Sequence, residues 1–250
     1  MIAAPNLSLI KRLKPRYARN NRAYTLTELL VVVAILAIML ALLFPLLSGL
    51  REKSLSVQCI SNLKKCTSIL LLKAADSENT LSIKSSGSGA SEYLWAQYIA
   101  DSVASHNPSG SNKRELDILY CPAYPPYRYD PDYPNFNWTW RTYGACMVNT
   151  PYAKDEPFGK ARLYKIRLSS VPNLSKHPLL MDSIHAASHI QRMNIRSYVA
   201  SAGEGSVHLR HNNKAHTAFL DGHISALDTE ALKDIGFKSA CDQSGNIISF

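Results

Sequence analysis

The sequence predicts an α+β fold in which a long N-terminal helix spans a membrane and then packs on a small antiparallel β-sheet domain. Three observations predict it. Leu29–Leu47 is a run of nineteen residues without a charged or strongly polar side chain. Beyond it, Val57, Ile60, Leu63, Cys66 and Leu70 recur at intervals of three or four, the period of one helix face. Near the C-terminus, Thr217–Leu220 and His223–Leu227 flank Asp221-Gly222, the signal of a two-residue type I′ hairpin.

The apolar run comes first in the chain. At ~1.5 Å per residue it extends roughly 28 Å, close to the ~30 Å hydrocarbon thickness of a bilayer. Lys11, Arg12, Lys14, Arg16, Arg19 and Arg22 precede it, with no acid among the first 23 residues. That asymmetry keeps the N-terminus cytoplasmic and sends the remainder outward. A secretory signal peptide has a shorter apolar core and small residues at its cleavage site, and neither occurs here.

Glu28 stands at the cytoplasmic edge of the run. A carboxylate there either reaches the headgroups or favours the positive end of a helix, or it has a partner. The neighbouring residues decide between them. Ala23-Tyr24-Thr25-Leu26-Thr27-Glu28-Leu29-Leu30 resembles the processing signal of type IV pilins and type II secretion pseudopilins. Ala23 stands where that family usually has Gly, and Tyr24 where it has Phe. The resemblance implies that a prepilin peptidase cuts between Ala23 and Tyr24 and methylates the new amine. It also implies that Glu28 pairs with the amine of an adjacent subunit, and that Pro45 is the helix-kinking proline of the assembly helix. In hydrocarbon an unpaired carboxylate is costly, so such a pair fixes the register of stacked helices.

The domains follow: a basic leader (1–23), a transmembrane and assembly helix (24–47), an amphipathic stem (48–75) and an exported pilin-like domain (76–250). The protein is thus placed in the inner membrane as a single-pass protein, its C-terminal domain extracytoplasmic. Removing the six leader charges from the net +9 leaves +3. No run of Lys and Arg interleaved with aromatics remains, so nucleic acid is not an expected partner.

The stem fades near Ala75-Asp76, and Ser85–Gly89 reads as a loop. A helix follows from Ser91 to about Val103, burying Leu94, Trp95, Tyr98 and Ile99. Eight of the 13 prolines lie between Pro108 and Pro157, which excludes long helices there. Short strands are predicted around Ile118–Cys121 and Tyr143–Val148, with an aromatic excursion through Asn135–Trp140. That excursion is either a glycan- or protein-binding surface or a loop-rich minor core. Pro178–Asp182 is the next strand, and the chain to Gly205 reads mostly as loop. After the hairpin, Asp228 caps a last helix from Thr229 to about Ile235, stopped by Gly236.

His211, nine residues, then Asp221-Gly222 resembles the processing-associated His-x9-Asp-Gly domain that accompanies many prepilin-type N-termini. Cys121-Pro122 and Leu180–Ser183 support the match, while Asn212-Asn213-Lys214 replace the glycines usual after the His. His211 and Asp221 are read as hydrogen-bonded across the hairpin.

No cofactor is demanded. Seven of the eight histidines fall between His177 and His223, so zinc is a candidate through His208, His211, His216 and His223, although no standard ligand spacing occurs. The resemblance to major pseudopilins adds calcium, with Asp221 and loop carbonyls as ligands. No nucleophile elbow is present, so the reading is a structural protein and not an enzyme. Cys59 and Cys66 read as small apolar side chains of the stem, and Cys121–Cys146 as a candidate disulfide. The leading function is a pseudopilin-like subunit of a secretion or pilus filament, its partners being the peptidase and other such subunits. The alternatives are a membrane-anchored binding module and an anchored hydrolase built on the histidines.

Overall fold

The computed structural model describes residues 25–87, 95–103, 113–130, 138–146, 152–158 and 161–250, with backbone alone at 43–48, 84–87, 113–114, 138, 153–158 and 161–163. Ala23 and Tyr24, Leu94, and the loop at 88–89 lie outside the described residues, as does the Asn135–Asn137 part of the aromatic excursion. The chain divides into two compact units, Met1–Leu47 and Ser48–Phe250.

Helix α1 covers Leu26–Ala75, 50 residues. Its start is a capping box, Thr25-x-x-Glu28. The Thr25 N–H and hydroxyl both donate to Glu28 Oε2 at 2.9 Å, and the Glu28 N–H donates to Thr25 Oγ1 at 3.2 Å. In the first unit Leu29, Leu36 and Leu42 stand exposed. The expected membrane-spanning helix is corrected here: among the described residues no helix is long and apolar enough to cross a membrane.

In the second unit the buried face of α1 is Cys59, Leu63, Cys66, Leu70 and Ala74. The predicted stripe is buried at Leu63, Cys66 and Leu70, but Val57 and Ile60 at its start are exposed and Cys59 is buried in their place. Strand β1 (Thr80–Gly87) and helix α2 (Trp95–Val103) follow. Ile118 belongs to a 3-10 turn, Lys113–Leu119, rather than to a strand. Next come β2 (Gly144–Cys146), β3 (Ala153–Phe158), β4 (Ala161–Arg167), β5 (Pro178–Met181), β6 (Ser183–His185) and β7 (Asn194–Ile195). The region predicted as loop before Gly205 therefore holds two short strands. β8 (Gly205–Val207), β9 (Ala215–Phe219), β10 (Ile224–Leu227), α3 (Thr229–Asp234), β11 (Ser239–Cys241) and β12 (Ile247–Ser249) complete the order.

The central sheet runs β10-β9-β5-β2-β7 and is mixed, which corrects the expected antiparallel sheet. β2 and β7 are parallel, pairing Ala145 with Asn194 and Cys146 with Ile195. The long connection between them permits the crossover that parallel pairing needs. β1-β4-β3, β6-β8 and β11-β12 form separate sheets. The predicted hairpin is present, but its turn is not type I′, which needs positive φ at both central residues. Here Gly222 has φ +86° while Asp221 is not left-handed. The Gly222 N–H donates to Phe219 O, and the Phe219 N–H to His223 O, closing a three-residue loop. Asp228 caps α3, accepting from the Ala231 N–H at 3.1 Å.

The main core packs the α1 face on Trp95, Ile99, Leu116, Leu119, Tyr143 and Leu180. Tyr120, Tyr129 and Tyr143 are buried in it, so these residues of the Pro/Tyr region serve as core.

Candidate metal centre

Four segments converge on Asp182, which follows β5 and is completely buried. α1 supplies Ser56 and Cys59. The turn before β9 supplies Arg210 and His211, and β9 itself supplies His216. The loop after the first 3-10 turn supplies Cys121.

Cys59 Sγ donates to Asp182 Oδ1 at 3.5 Å. The His216 backbone N–H donates to Asp182 Oδ2 at 2.8 Å. His211 Nε2 lies 3.5 Å and His216 Nδ1 3.9 Å from that same oxygen. The two imidazoles stack at 4.1 Å. Arg210 Nε stands 3.7 Å from Asp182 Oδ1, and its guanidinium also donates to Ser183 O. Cys121 Sγ is 3.3 Å from His211 Nε2. The Tyr143 hydroxyl, 3.3 Å from Cys59 Sγ, completes the enclosure. Ligand atoms of Cys59, Asp182, His211 and His216 all lie within 4.8 Å of one another, a group that could hold a metal ion.

The local field is set by burial and by these charges. Burial pushes the Asp182 carboxyl up, but Arg210, His211 and His216 outweigh it and hold it below the ordinary carboxylate value. Burial lowers His216 to about 4 against the pull of Asp182. Burial also lowers His211, yet Cys121 and Asp182 raise it overall. The two thiols diverge: burial drives Cys59 well up, whereas hydrogen bonds from Cys59 and His211 overcome burial at Cys121 and bring it to about 6.

This arrangement corrects the reading of the chain as a structural protein without enzyme-like chemistry. A buried thiol, carboxylate and two imidazoles in one cluster are the components of a metal-binding or catalytic site. Of the four histidines taken as zinc candidates, only His211 and His216 join it. His208 is buried with its ring edge-on to Tyr124 at 4.4 Å. His223 stacks on Phe219 and binds Asp221 Oδ1 through Nδ1 at 2.6 Å. Asp221 therefore pairs with His223 rather than with His211, and it is exposed. Gly222 instead accepts from Lys64 Nζ at 2.6 Å, which joins the hairpin tip to α1. Cys121 and Cys146 are both free thiols, so the candidate disulfide is absent.

Gln191 is a residue that sequence reasoning missed. Its buried amide accepts from the Cys121 N–H at 3.0 Å and donates to Cys121 O, Tyr124 O and Pro126 O. It holds the loop that carries Cys121. A lone Gln in a polar stretch gives no signal of that role.

Residues 18–44 match the family model of the prokaryotic N-terminal methylation motif. The match takes in Ala23, Tyr24 and Glu28 and stops one residue before Pro45. It is consistent with a protein processed in the manner of pilins and pseudopilins, which are membrane-associated, and it is compatible with a prepilin-processing pathway. No curated protein and no solved structure matches the chain.

Proposed function

We propose that the protein is a pilin- or pseudopilin-like subunit, cut by a prepilin peptidase between Ala23 and Tyr24 and N-methylated on Tyr24. The methylation motif over residues 18–44 is the observation that carries this reading. In it residues 1–23 are the leader, 24–47 the assembly helix, 48–75 the stem and 76–250 the globular domain. The domain lies on the extracytoplasmic side of the inner membrane. Other subunits of the same type are the partners, in a secretion pseudopilus or a pilus-like filament.

Two features of the helix support assembly. Exposed Leu29, Leu36 and Leu42 offer apolar area that neighbouring helices can cover. Glu28 is held at the helix start by Thr25 through Oε2, and its exposed carboxylate is the partner proposed for the Tyr24 amine of a neighbour. In this reading Pro45 is the helix-kinking proline of the assembly helix. His211, Asp221 and Gly222 play structural parts separately, His211 beside Asp182, Asp221 on His223 and Gly222 as the contact of the hairpin with the stem.

The test is mass spectrometry of protein extracted from membranes of cells that contain an active prepilin peptidase. The expected N-terminus is N-methylated Tyr24. Intact residues 1–23 in those cells contradict the reading.

A further inference from the structure

We propose that Cys59, Asp182, His211 and His216 bind one zinc-class divalent ion, which cross-links α1 to the central sheet. The inference stands independently of N-terminal processing, because all four residues belong to the Ser48–Phe250 unit.

Spacing is the first argument. A tetrahedral ion with bonds of about 2.3 Å to sulfur and 2.0–2.1 Å to nitrogen or oxygen sets its ligand atoms roughly 3.3–3.6 Å apart. Asp182 Oδ2 lies 3.5 Å from His211 Nε2 and 3.9 Å from His216 Nδ1, and Asp182 Oδ1 lies 3.5 Å from Cys59 Sγ. All four ligand atoms lie within 4.8 Å of one another, so an adjustment of about 1 Å lets them meet on one ion.

The second argument is an unpartnered atom. His216 is 3% exposed, and its Nδ1 has no hydrogen-bond partner among the described residues. Its other nitrogen, Nε2, is hydrogen-bonded to Ser56 Oγ at 3.2 Å. An imidazole held through one nitrogen with the other aimed inward is the usual arrangement of a metal-bound histidine. Two of the remaining donors, Cys59 and Asp182, are supported likewise. The Tyr143 hydroxyl reaches Cys59 Sγ, and the His216 N–H reaches Asp182.

Donor chemistry selects the ion. One thiolate, two imidazoles and one carboxylate suit zinc and disfavour calcium and magnesium, which take oxygen donors. Topology gives the consequence. Cys59 lies on α1, 123 residues from Asp182, so the ion closes a long loop between helix and sheet.

The experiment uses the full chain, purified in detergent without a metal-affinity tag, loaded with Zn²⁺ or Co²⁺ and dialysed. Elemental analysis is expected to find about one zinc per chain, and the cobalt form to show tetrahedral d–d bands with a thiolate-to-cobalt charge-transfer band. Cys59→Ser should abolish the charge-transfer band. Cys66→Ser, a buried thiol on the same helix face, should leave it unchanged. Ser56→Ala, which keeps all four ligands, should weaken zinc binding ~10–100-fold, as loss of an outer partner does, and so remains informative if Cys59→Ser does not fold. Folded wild-type protein that retains no metal overturns the proposal, as does a charge-transfer band that survives in folded Cys59→Ser.

Discussion

The N-terminal segment and the globular unit handle polarity in opposite ways. In the segment the carboxylate of Glu28 is exposed, and large apolar side chains from Leu26 to Leu42 are more than half exposed. In the globular unit the carboxylate of Asp182 and the guanidinium of Arg210 are buried, and the α1 face around Leu63 is covered completely. One region has apolar surface without a cover, whereas the other encloses its charges. The difference teaches that the globular unit already has its core, whereas the described apolar side chains of the segment are left for the neighbouring subunits that the proposed assembly supplies.

The largest effect is expected where the enclosed charges are broken. Asp182→Ala leaves Arg210 buried beside no carboxylate and removes the acceptor of the His216 N–H. One-sided loss of a buried pair costs ~3–5 kcal/mol, which denaturant unfolding should detect. A change below about 1 kcal/mol would mean the pair is solvated and the contrast is false.

Core truncation sharpens the same contrast. Leu63→Ala should cost ~2–5 kcal/mol, because Leu63 is completely buried. Leu36→Ala on the same helix should stay within about 0.5 kcal/mol in the detergent-extracted monomer, since Leu36 is 53% exposed. Equal losses from the two would contradict the separation of the regions.

Acid should act on the globular unit first. Burial, helped by Arg210, lowers His208 to about 3, whereas an unfolded histidine titrates near ~6.5. The unfolded chain then binds more protons between those values. The His208 contribution is therefore complete above about pH 6.5 and is lost as pH falls toward 3. Thermal melts of His208→Leu should show a shallower loss over that window than wild type. The smallest effect concerns the α3 cap, where Asp228→Ala should cost about 1 kcal/mol.

The two regions also differ in how much their sequence discloses. Tyr24 to Glu28 and the apolar run are contiguous, so their chemistry is read as a string. The β9–β10 hairpin and the Asp228 cap are equally local, and both occur. The metal-type cluster is not local. Cys59, Asp182 and His216 come together only when α1, the end of β5 and β9 pack, and no fixed spacing encodes that. β7 escaped notice because its two residues give no alternation, and with it went the parallel edge of the sheet. The type I′ turn failed because Asp-Gly also fits a three-residue loop with only the glycine left-handed. The α1 stripe is legible at Leu63, Cys66 and Leu70, but its start is not, since Val57 and Ile60 fit the helical period as well as the buried Cys59 does.

The central claim, assembly through the N-terminal helix, is tested most directly by crosslinking Glu28→Ala and wild type in membranes while cleavage is followed alongside. The substitution leaves Leu29–Leu47 and the Ala23–Tyr24 bond intact, so cleavage and monomer abundance should hardly change. If Glu28 pairs with the Tyr24 amine of a neighbour, its loss costs ~3–5 kcal/mol per contact, and assembly falls by roughly two or more orders of magnitude. Wild type is expected to give a crosslinked ladder and the variant monomer alone. Equal ladders in both would mean that Glu28 serves only the Thr25 capping box, and would contradict the claim.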